Sequence, residues 1–348
     1  MVGFITGIGV LLITATVLPL LRKDAWWIRF FDFPRLQLIV LLMLTFVVAW
    51  FVVGTTGFVP NLLLAGLVVS LLYQCYMMFP YTRWAHRQVQ QSRQPPSTNS
   101  ISLVSVNVLM SNRNSATLKK ILHTVDPDII LTLEADEWWQ DQMKEFEQTH
   151  LFTVYQPQDN CYGMLLYSRL ELVNPQIKFR VQDDIPSIYT RVCLPSGEEI
   201  ELYCLHPRPP LPEATARSTE RDVELLLVGK EVKGKALPVI VIGDLNDVGW
   251  SHTSYLFRDI SGLLDPRVGR GFYNTFHAKY PFIRFPLDHV FHSNDFRLLD
   301  LRRLPYFGSD HFPIFIRLSY EPSAEQQQPE LEASPAEEAE AAEEIQKL

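Results

Sequence analysis

The chain has 348 residues, 47% of them hydrophobic, which is enough apolar material for a large core and for more than one region. Its formal net charge of −8 belongs in effect to the tail from Glu321, which holds nine glutamates and one lysine, while residues 101–320 carry 23 basic and 28 acidic side chains. That balance lacks the basic field that drives avid binding to a phosphate backbone, and four cysteines without CxxC or His/Cys spacing support neither a disulfide framework nor a zinc site.

The first hundred residues read as membrane. Gly3–Leu21, Leu36–Val53 and Asn61–Phe79 are uncharged apolar runs, each about long enough to cross a bilayer as a helix. The start MVGFITG lacks the basic residue of a cleaved signal peptide. Between the first two runs, RKDAWWIRFFDFPR mixes cations with aromatics and suits the headgroup layer, with Trp26 and Trp27 as interfacial anchors. The organisation expected is a three-span membrane domain over 1–87, a polar linker with paired prolines over 88–100, a catalytic domain over 101–320 and a disordered acidic tail over 321–348.

From Ile101 the pattern alternates strands and helices. Strands are predicted at Ile101–Asn107, Asp128–Glu134, Gly163–Ser168, Ile188–Leu194, Glu199–His206 and Pro238–Gly243, with three more centred on His289, Leu299 and Phe315. Helical periodicity covers Ala116–Val125, Ala135–Gln148, Glu213–Val232 and Ser251–Ile260. Cys193 and Cys204 alternate within strand-like runs and read as small buried hydrophobes. About ten strands interleaved with helices suit two sheets packed face to face with helices outside.

Six strand ends carry polar groups that can ligate metal or move protons. SLVSVN ends at Asn107, DIILTLE at Glu134 and LYCLH at His206; VIVIGDLND contains Asp244 and Asn246, PLDHVF contains Asp288, and GSDHFP contains Asp310 and His311. A buried strand ending in such a group delivers it to the rim of a sheet. Glu134, Asn107 and Asp310 form an oxygen-only set, which selects Mg²⁺ or Mn²⁺ over zinc. Asp244 and Asn246, two apart on a turn, are placed to align or deprotonate water and to donate to phosphoryl oxygens. His206 and His311 can donate to phosphate or trade a proton near neutral pH, and Asp288 is a plausible carboxylate to orient a histidine. Arg208, beside His206 in HPRPP, is suited equally to clamping phosphate and to a surface ion pair. Asp247 reads as a structural cap, and His289 points to the opposite strand face from Asp288. Asn160, Tyr162 and Arg191 receive no assignment.

The order and spacing of these motifs over residues 100–320, GDLND and SDHFP above all, resemble the endonuclease/exonuclease/phosphatase superfamily, the Mg-dependent fold of DNase I. The resemblance implies a four-layered α/β sandwich, two packed mixed β-sheets flanked by helices, here preceded by three transmembrane helices. It matches Glu134 to the principal metal-binding glutamate and Asn107 to the asparagine beside it. Asp244 and Asn246 match the water- and phosphate-orienting pair, Asp288 and His311 the Asp–His catalytic pair, and Asp310 the acid before that histidine. His206 falls where some members carry a second histidine.

The expected function is a membrane-anchored, Mg-dependent phosphoesterase acting on a phosphodiester, phosphomonoester or pyrophosphate, lipid-linked or close to the membrane. The alternatives are a nuclease acting on DNA or RNA and a non-catalytic membrane scaffold. Multi-pass insertion in the inner (cytoplasmic) membrane is expected. Four basic residues lie between the first two spans, none in GTTGFV, and Arg83, Arg87 and Arg93 follow the third, so the positive-inside rule places the catalytic domain in the cytoplasm. Similar membrane proteins linked to glycopeptide resistance carry theirs outside; the charge pattern of this chain is preferred to that analogy.

Overall fold

A computed structural model describes residues 1–210 and 217–348. The apolar runs form helices α1 (Val2–Val17), α3 (Arg35–Val52) and α4 (Phe58–Met78), with the short α2 (Trp26–Arg29) between the first two. Three segments, Val2–Leu21, Arg35–Val52 and Phe58–Tyr81, are long and apolar enough to cross a membrane. Their outward faces are greasy, while Leu42, Ala49 and Leu67 pack them against one another.

Beyond them run β1 (Ser100–Asn107), α5 (Ser115–Val125), β2 (Ile129–Leu133), α6 (Glu137–Met143), β3 (Phe152–Gln156), β4 (Met164–Ser168), β5 (Leu172–Lys178), β6 (Ser187–Cys193) and β7 (Glu199–Leu205). Then follow α7 (Thr219–Val232), β8 (Val239–Asp244), α8 (His252–Ser261), β9 (Asp288–His292), β10 (Phe296–Arg303), β11 (Ile314–Tyr320) and α9 (Pro335–Ile345). The strands form two mixed sheets, β10-β11-β1-β2-β4-β3 and β5-β6-β7-β8-β9. Strand alternation explains the layers. Along β1, Ile101 and Leu103 enter the core between the sheets, whereas Val104 and Val106 face the layer that holds Leu118, Leu122 and Trp139. Along β8, Ile240 and Ile242 face inward, and Val239 and Val241 pack with Leu225, Val228 and Phe257. The result is the expected four-layered sandwich behind three apolar helices.

Several elements depart from the sequence reading. β3 and β5 are absent from it: β3 lies half-buried at a sheet edge, and β5 is broken by a register shift around Asn174 and Pro175. The helix expected from Glu213 begins at Thr219 among the described residues; positions 213–216 lie outside them. The expected linker is not a free tether, because Val89 is fully buried in the inter-sheet core and Gln90 and Ser92 hydrogen-bond to Leu298 on β10. The tail expected to be disordered contains α9, closed by a capping box of Ser334 and Glu337. Its alanines are small enough to approach α7 and α8 closely, so Ala341 packs with Leu226, Leu256 and Ile260. Its glutamates find cations: Glu340 lies 3.3 Å from Arg22 and 2.7 Å from His252 Nε2, and Glu338 pairs with Lys233.

The apolar helical part and the sandwich are tightly docked. Arg29 Nη2 donates to Asp222 Oδ2 at 3.2 Å with both groups buried, Trp250 Nε1 donates to the Asp32 carbonyl at 2.7 Å, and Met78 and Tyr81 pack against Val248 and Trp250. Removing one partner of a buried ion pair costs about 3–5 kcal/mol. Asp222 keeps Arg221 at 2.7 Å, so Arg29→Ala is expected near the low end, about 3 kcal/mol. Thermal unfolding of the full chain in detergent checks this; an unchanged midpoint would contradict the docking.

Candidate active site

The parallel pairs β1–β2 and β7–β8 end at one edge of the sandwich, where Asn107 pairs with Leu133 and Leu205 with Gly243. Asp244, at the end of β8, is the register partner of Asp288, which begins β9. β11 runs antiparallel to β1, so the loop before it returns to the end of β1, and Ser309 Oγ donates to the Asn107 carbonyl at 2.8 Å. Topology alone thus gathers Asn107, Glu134, His206, Asp244, Asp288, Asp310 and His311.

Backbone shape refines the positions. Glu134 has φ +57° and Asn246 φ +50°, the left-handed region that costs a side-chain-bearing residue about 1–2 kcal/mol and concentrates at functional sites. Gly243, with φ +149°, admits no side chain, because a Cβ would lie 1.9 Å from the Leu205 carbonyl oxygen. Gly163 is equally tight, its Cβ position 1.9 Å from the carbonyl oxygen of Ala135, next to Glu134.

Three hydrogen-bonded units result. His311 Nδ1 lies 2.8 Å from Asp288 Oδ2, and its Nε2 lies 3.5 Å from Asp244 Oδ2. Asn107 Nδ2 donates to Glu134 Oε1 at 2.7 Å and to Asp244 Oδ2 at 3.1 Å. The Asn246 amide N–H donates to Asp244 Oδ1 at 3.0 Å, while its side chain donates to the Pro207 carbonyl at 2.9 Å. His206 Nε2 stands 4.0 Å from Asp244 Oδ2, and its buried Nδ1 has no partner among the described residues.

Burial and neighbouring charge set the protonation states. Burial pushes the His311 imidazole down, but the carboxylates of Asp288 and Asp244 outweigh it and carry it up to about 10, so the ring is cationic. Burial raises Asp244 in turn, and the His311 charge, with hydrogen bonds from the Asn246 N–H and the Asn107 amide, more than reverses this, so it stays ionised. Burial holds His206 below the usual histidine range, hence neutral. Glu134 is pushed up to about 7 by burial, with only partial relief from the Asn107 amide.

Glu134, His206, Asp244, Asn246, Asp310 and His311 line one cavity of about 650 Å³, and no Lys or Arg lines it among the described residues. Several carboxylates share one imidazolium, and the half-buried Glu134 has no basic partner at hydrogen-bond distance. A divalent cation is the group that relieves this excess. By proximity alone, Asp244, Asp288 and His311 also form a group able to hold an ion, their ligand atoms lying within 4.8 Å of one another. In that trio, however, His311 Nδ1 is directed at Asp288, which makes it a proton relay first.

The profile of the "Endonuclease/Exonuclease/phosphatase family" matches residues 104–311. The chain belongs to this family. As a member it is a metal-dependent phosphoric-ester hydrolase. No curated protein matches it. Among solved structures, TDP2 of D. rerio complexed with single-strand DNA product is 16% identical over 63% of this chain and 99% of its own, with a TM-score of 0.52. The human Nocturnin catalytic domain with bound sulfate is also 16% identical, over 64% and 95%, with a TM-score of 0.52. An endonuclease/exonuclease/phosphatase from Beutenbergia cavernae is 14% identical over 64% and 72%, at 0.51. At these identities the likeness is one of fold.

Two residues of the expected site, Asn107 and Arg208, have their polar groups engaged within the protein. Asn107 is expected as an oxygen ligand; its Oδ1 accepts from Leu109 N at 3.0 Å and its nitrogen donates to the Glu134 and Asp244 carboxylates. Arg208, expected as a substrate-binding residue or a surface ion pair, adopts the latter: Nη2 lies 3.1 Å from Asp184, with the guanidinium over the Tyr162 ring. His289 occupies the opposite face from Asp288, with Nδ1 2.7 Å from Arg267 and Nε2 2.8 Å from the Asp247 carbonyl. Asp247 caps its own turn at Val248 N and lies 3.5 Å from Arg221. Of the unassigned residues, Tyr162 lines the cavity and stacks obliquely on His206, whereas Arg191 pairs with Glu199. Cys161, Phe276, Phe285 and Leu287 also line it, and so do Trp26, Phe30 and Phe33 from the segment between α1 and α3. The aromatic richness of RFFDFPR is the only sequence signal for these last residues, and it reads equally as headgroup anchoring.

Proposed function

We propose that the protein hydrolyses a phosphodiester, phosphomonoester or pyrophosphate presented at a membrane, and that Mg²⁺ or Mn²⁺ is its cation. The observation that carries this reading is one cavity lined both by the acid–histidine cluster and by residues from between two apolar helices. Glu134 and Asp310 would hold the cation, with Asn107 fixing the direction of Glu134. The cation, when bound, neutralises charge on the phosphoryl oxygens. Asp244, ionised and fixed by Asn246 N and Asn107, takes a proton from the attacking water. As the water oxygen bonds to phosphorus and the bond to the leaving oxygen breaks, His311, held by Asp288, gives up its Nε2 proton. His206 and Asn246 donate to phosphoryl oxygens. A nucleic acid is the second choice of substrate, favoured by the resemblance to a structure with single-strand DNA product.

The charge pattern supports a catalytic domain on the cytoplasmic face of the inner membrane. Arg29 and Arg35 are consumed in buried pairs with Asp222 and Asp32, yet Arg22, Lys23, Arg83, Arg87 and Arg93 still face an uncharged 54–57 loop. Alkaline phosphatase and fluorescent-protein fusions after Leu348 test it; an active phosphatase with a dark fluorescent fusion reverses the orientation.

The substrate reading is tested by a phosphate-release and nicking screen of the full chain. Lipid phosphates are expected to be cleaved and duplex DNA bound weakly at physiological salt, because basic residues are outnumbered in 101–320. Efficient metal-dependent nicking of plasmid at low enzyme concentration would promote the nuclease reading.

A further inference from the structure

The apolar wall of the cavity bears on which phosphate ester it accepts, an inference that rests on the phosphoesterase reading above. Trp26, Phe30 and Phe33 come from the segment between α1 and α3, and Phe276, Phe285 and Leu287 come from the catalytic domain. The two sides meet where the Phe33 and Phe285 rings stand edge to face at 5.6 Å. A small soluble phosphate ester offers nothing to bury against such a wall, and with no Lys or Arg lining the cavity among the described residues, neither does a polyanion.

The place of this wall is as telling as its chemistry. The first candidate span ends at Leu21 and the second begins at Arg35, so Trp26–Phe33 lies where both leave the hydrocarbon. Phe30 lines the cavity yet is 56% exposed, and Trp27 beside it is exposed as well. On the catalytic side, Tyr280, Phe282 and Ile283 form an exposed apolar tip, with Phe282 85% exposed. Gln37, in the first turn of α3, donates to the Phe282 carbonyl at 2.8 Å and holds that tip beside the second span. Exposed aromatic and aliphatic groups at this level match the anchors of a membrane interface.

We infer that the substrate is a phosphate ester borne on a long hydrocarbon chain, whose phosphate enters between Glu134, Asp244 and His311 while the chain runs along Trp26, Phe30, Phe33 and Phe285 into the bilayer. The membrane domain is then part of the substrate site, and the segment between its first two spans selects for the chain. Hydrocarbon buried on these rings stabilises the complex in proportion to the methylenes taken out of water, which a short-chain ester cannot gain.

The experiment uses the full chain in lipid nanodiscs with Mg²⁺ and two chromogenic diesters, p-nitrophenyl dodecyl phosphate and p-nitrophenyl ethyl phosphate. The dodecyl ester is expected to have the higher kcat/KM. Phe30→Ser, at a largely exposed position, should lower the dodecyl-to-ethyl ratio about tenfold. A second readout does not need turnover: in chelator, a dodecyl phosphate bearing a photoreactive group at its chain end should label peptides 26–33 and 276–285, and dodecyl phosphate should suppress the labelling where inorganic phosphate does not. Hydrolysis of both esters with a ratio that Phe30→Ser leaves unchanged, and no labelling of the wall, overturns the inference and leaves the phosphoesterase reading standing. Labelling of the wall without hydrolysis of either ester upholds the chain site and overturns the reading beneath it.

Discussion

Asp288→Asn is expected to lower turnover about 10²–10⁴-fold, the range of a positioned acid or base, in a protein that still folds. The substitution keeps the size of the side chain and an oxygen, but it removes the charge that makes His311 cationic and that fixes its Nδ1 at 2.8 Å. His311→Ala removes the proton itself and should be at least as severe. His289→Ala is the control on the neighbouring strand position. It breaks a buried contact with Arg267 and the Asp247 carbonyl and should lower stability, while the folded fraction keeps its kcat. Steady-state kinetics beside circular dichroism separates the two effects. A silent Asp288→Asn with a crippling His289→Ala in folded protein would mean that the other face of β9 carries the chemistry.

Glu134→Gln should have the second large effect, a loss of turnover of about 10³-fold or more. The glutamine Oε1 can still accept from Asn107 Nδ2, so the local backbone has no reason to move. What is lost is a half-buried carboxylate with no basic partner at hydrogen-bond distance. Mn²⁺ binding followed by electron paramagnetic resonance should weaken in parallel. Wild-type hydrolysis and Mn²⁺ affinity in a well-folded Glu134→Gln protein would remove Glu134 from the cation site.

The polar cluster was legible because Asn107, Glu134, His206 and Asp244 follow runs of buried aliphatic residues while Asp288, Asp310 and His311 precede them, and parallel strand pairs with antiparallel neighbours bring those ends to one edge. Asp288 and His289 were separable for the same reason, the two-residue period of a strand. Asn107 was read as an oxygen ligand because sequence shows the residue and not the direction of its amide. That direction follows from where Leu109 N lies.

Long-range docking was the least legible part. Nothing local distinguishes Phe30 and Phe33 as headgroup anchors from the same residues as a cavity wall, since both uses need an aromatic near the bilayer surface. All four cations of that segment enter the positive-inside count, whereas Arg29 is neutralised by Asp222, nearly two hundred positions away. Composition also misled at the tail. Its alanines and glutamates form no core of their own, but against α7, α8 and the cations of Arg22 and Lys233 they need none.

The most direct test of a cation-dependent acid–histidine site is reversible chelation of the full chain in nanodiscs during hydrolysis of p-nitrophenyl dodecyl phosphate. Nitrophenolate release should stop on addition of chelator and return when Mg²⁺ or Mn²⁺ is restored in excess, with no return in Glu134→Gln. Release that continues undiminished in chelator, or that returns equally in Glu134→Gln, would contradict the account.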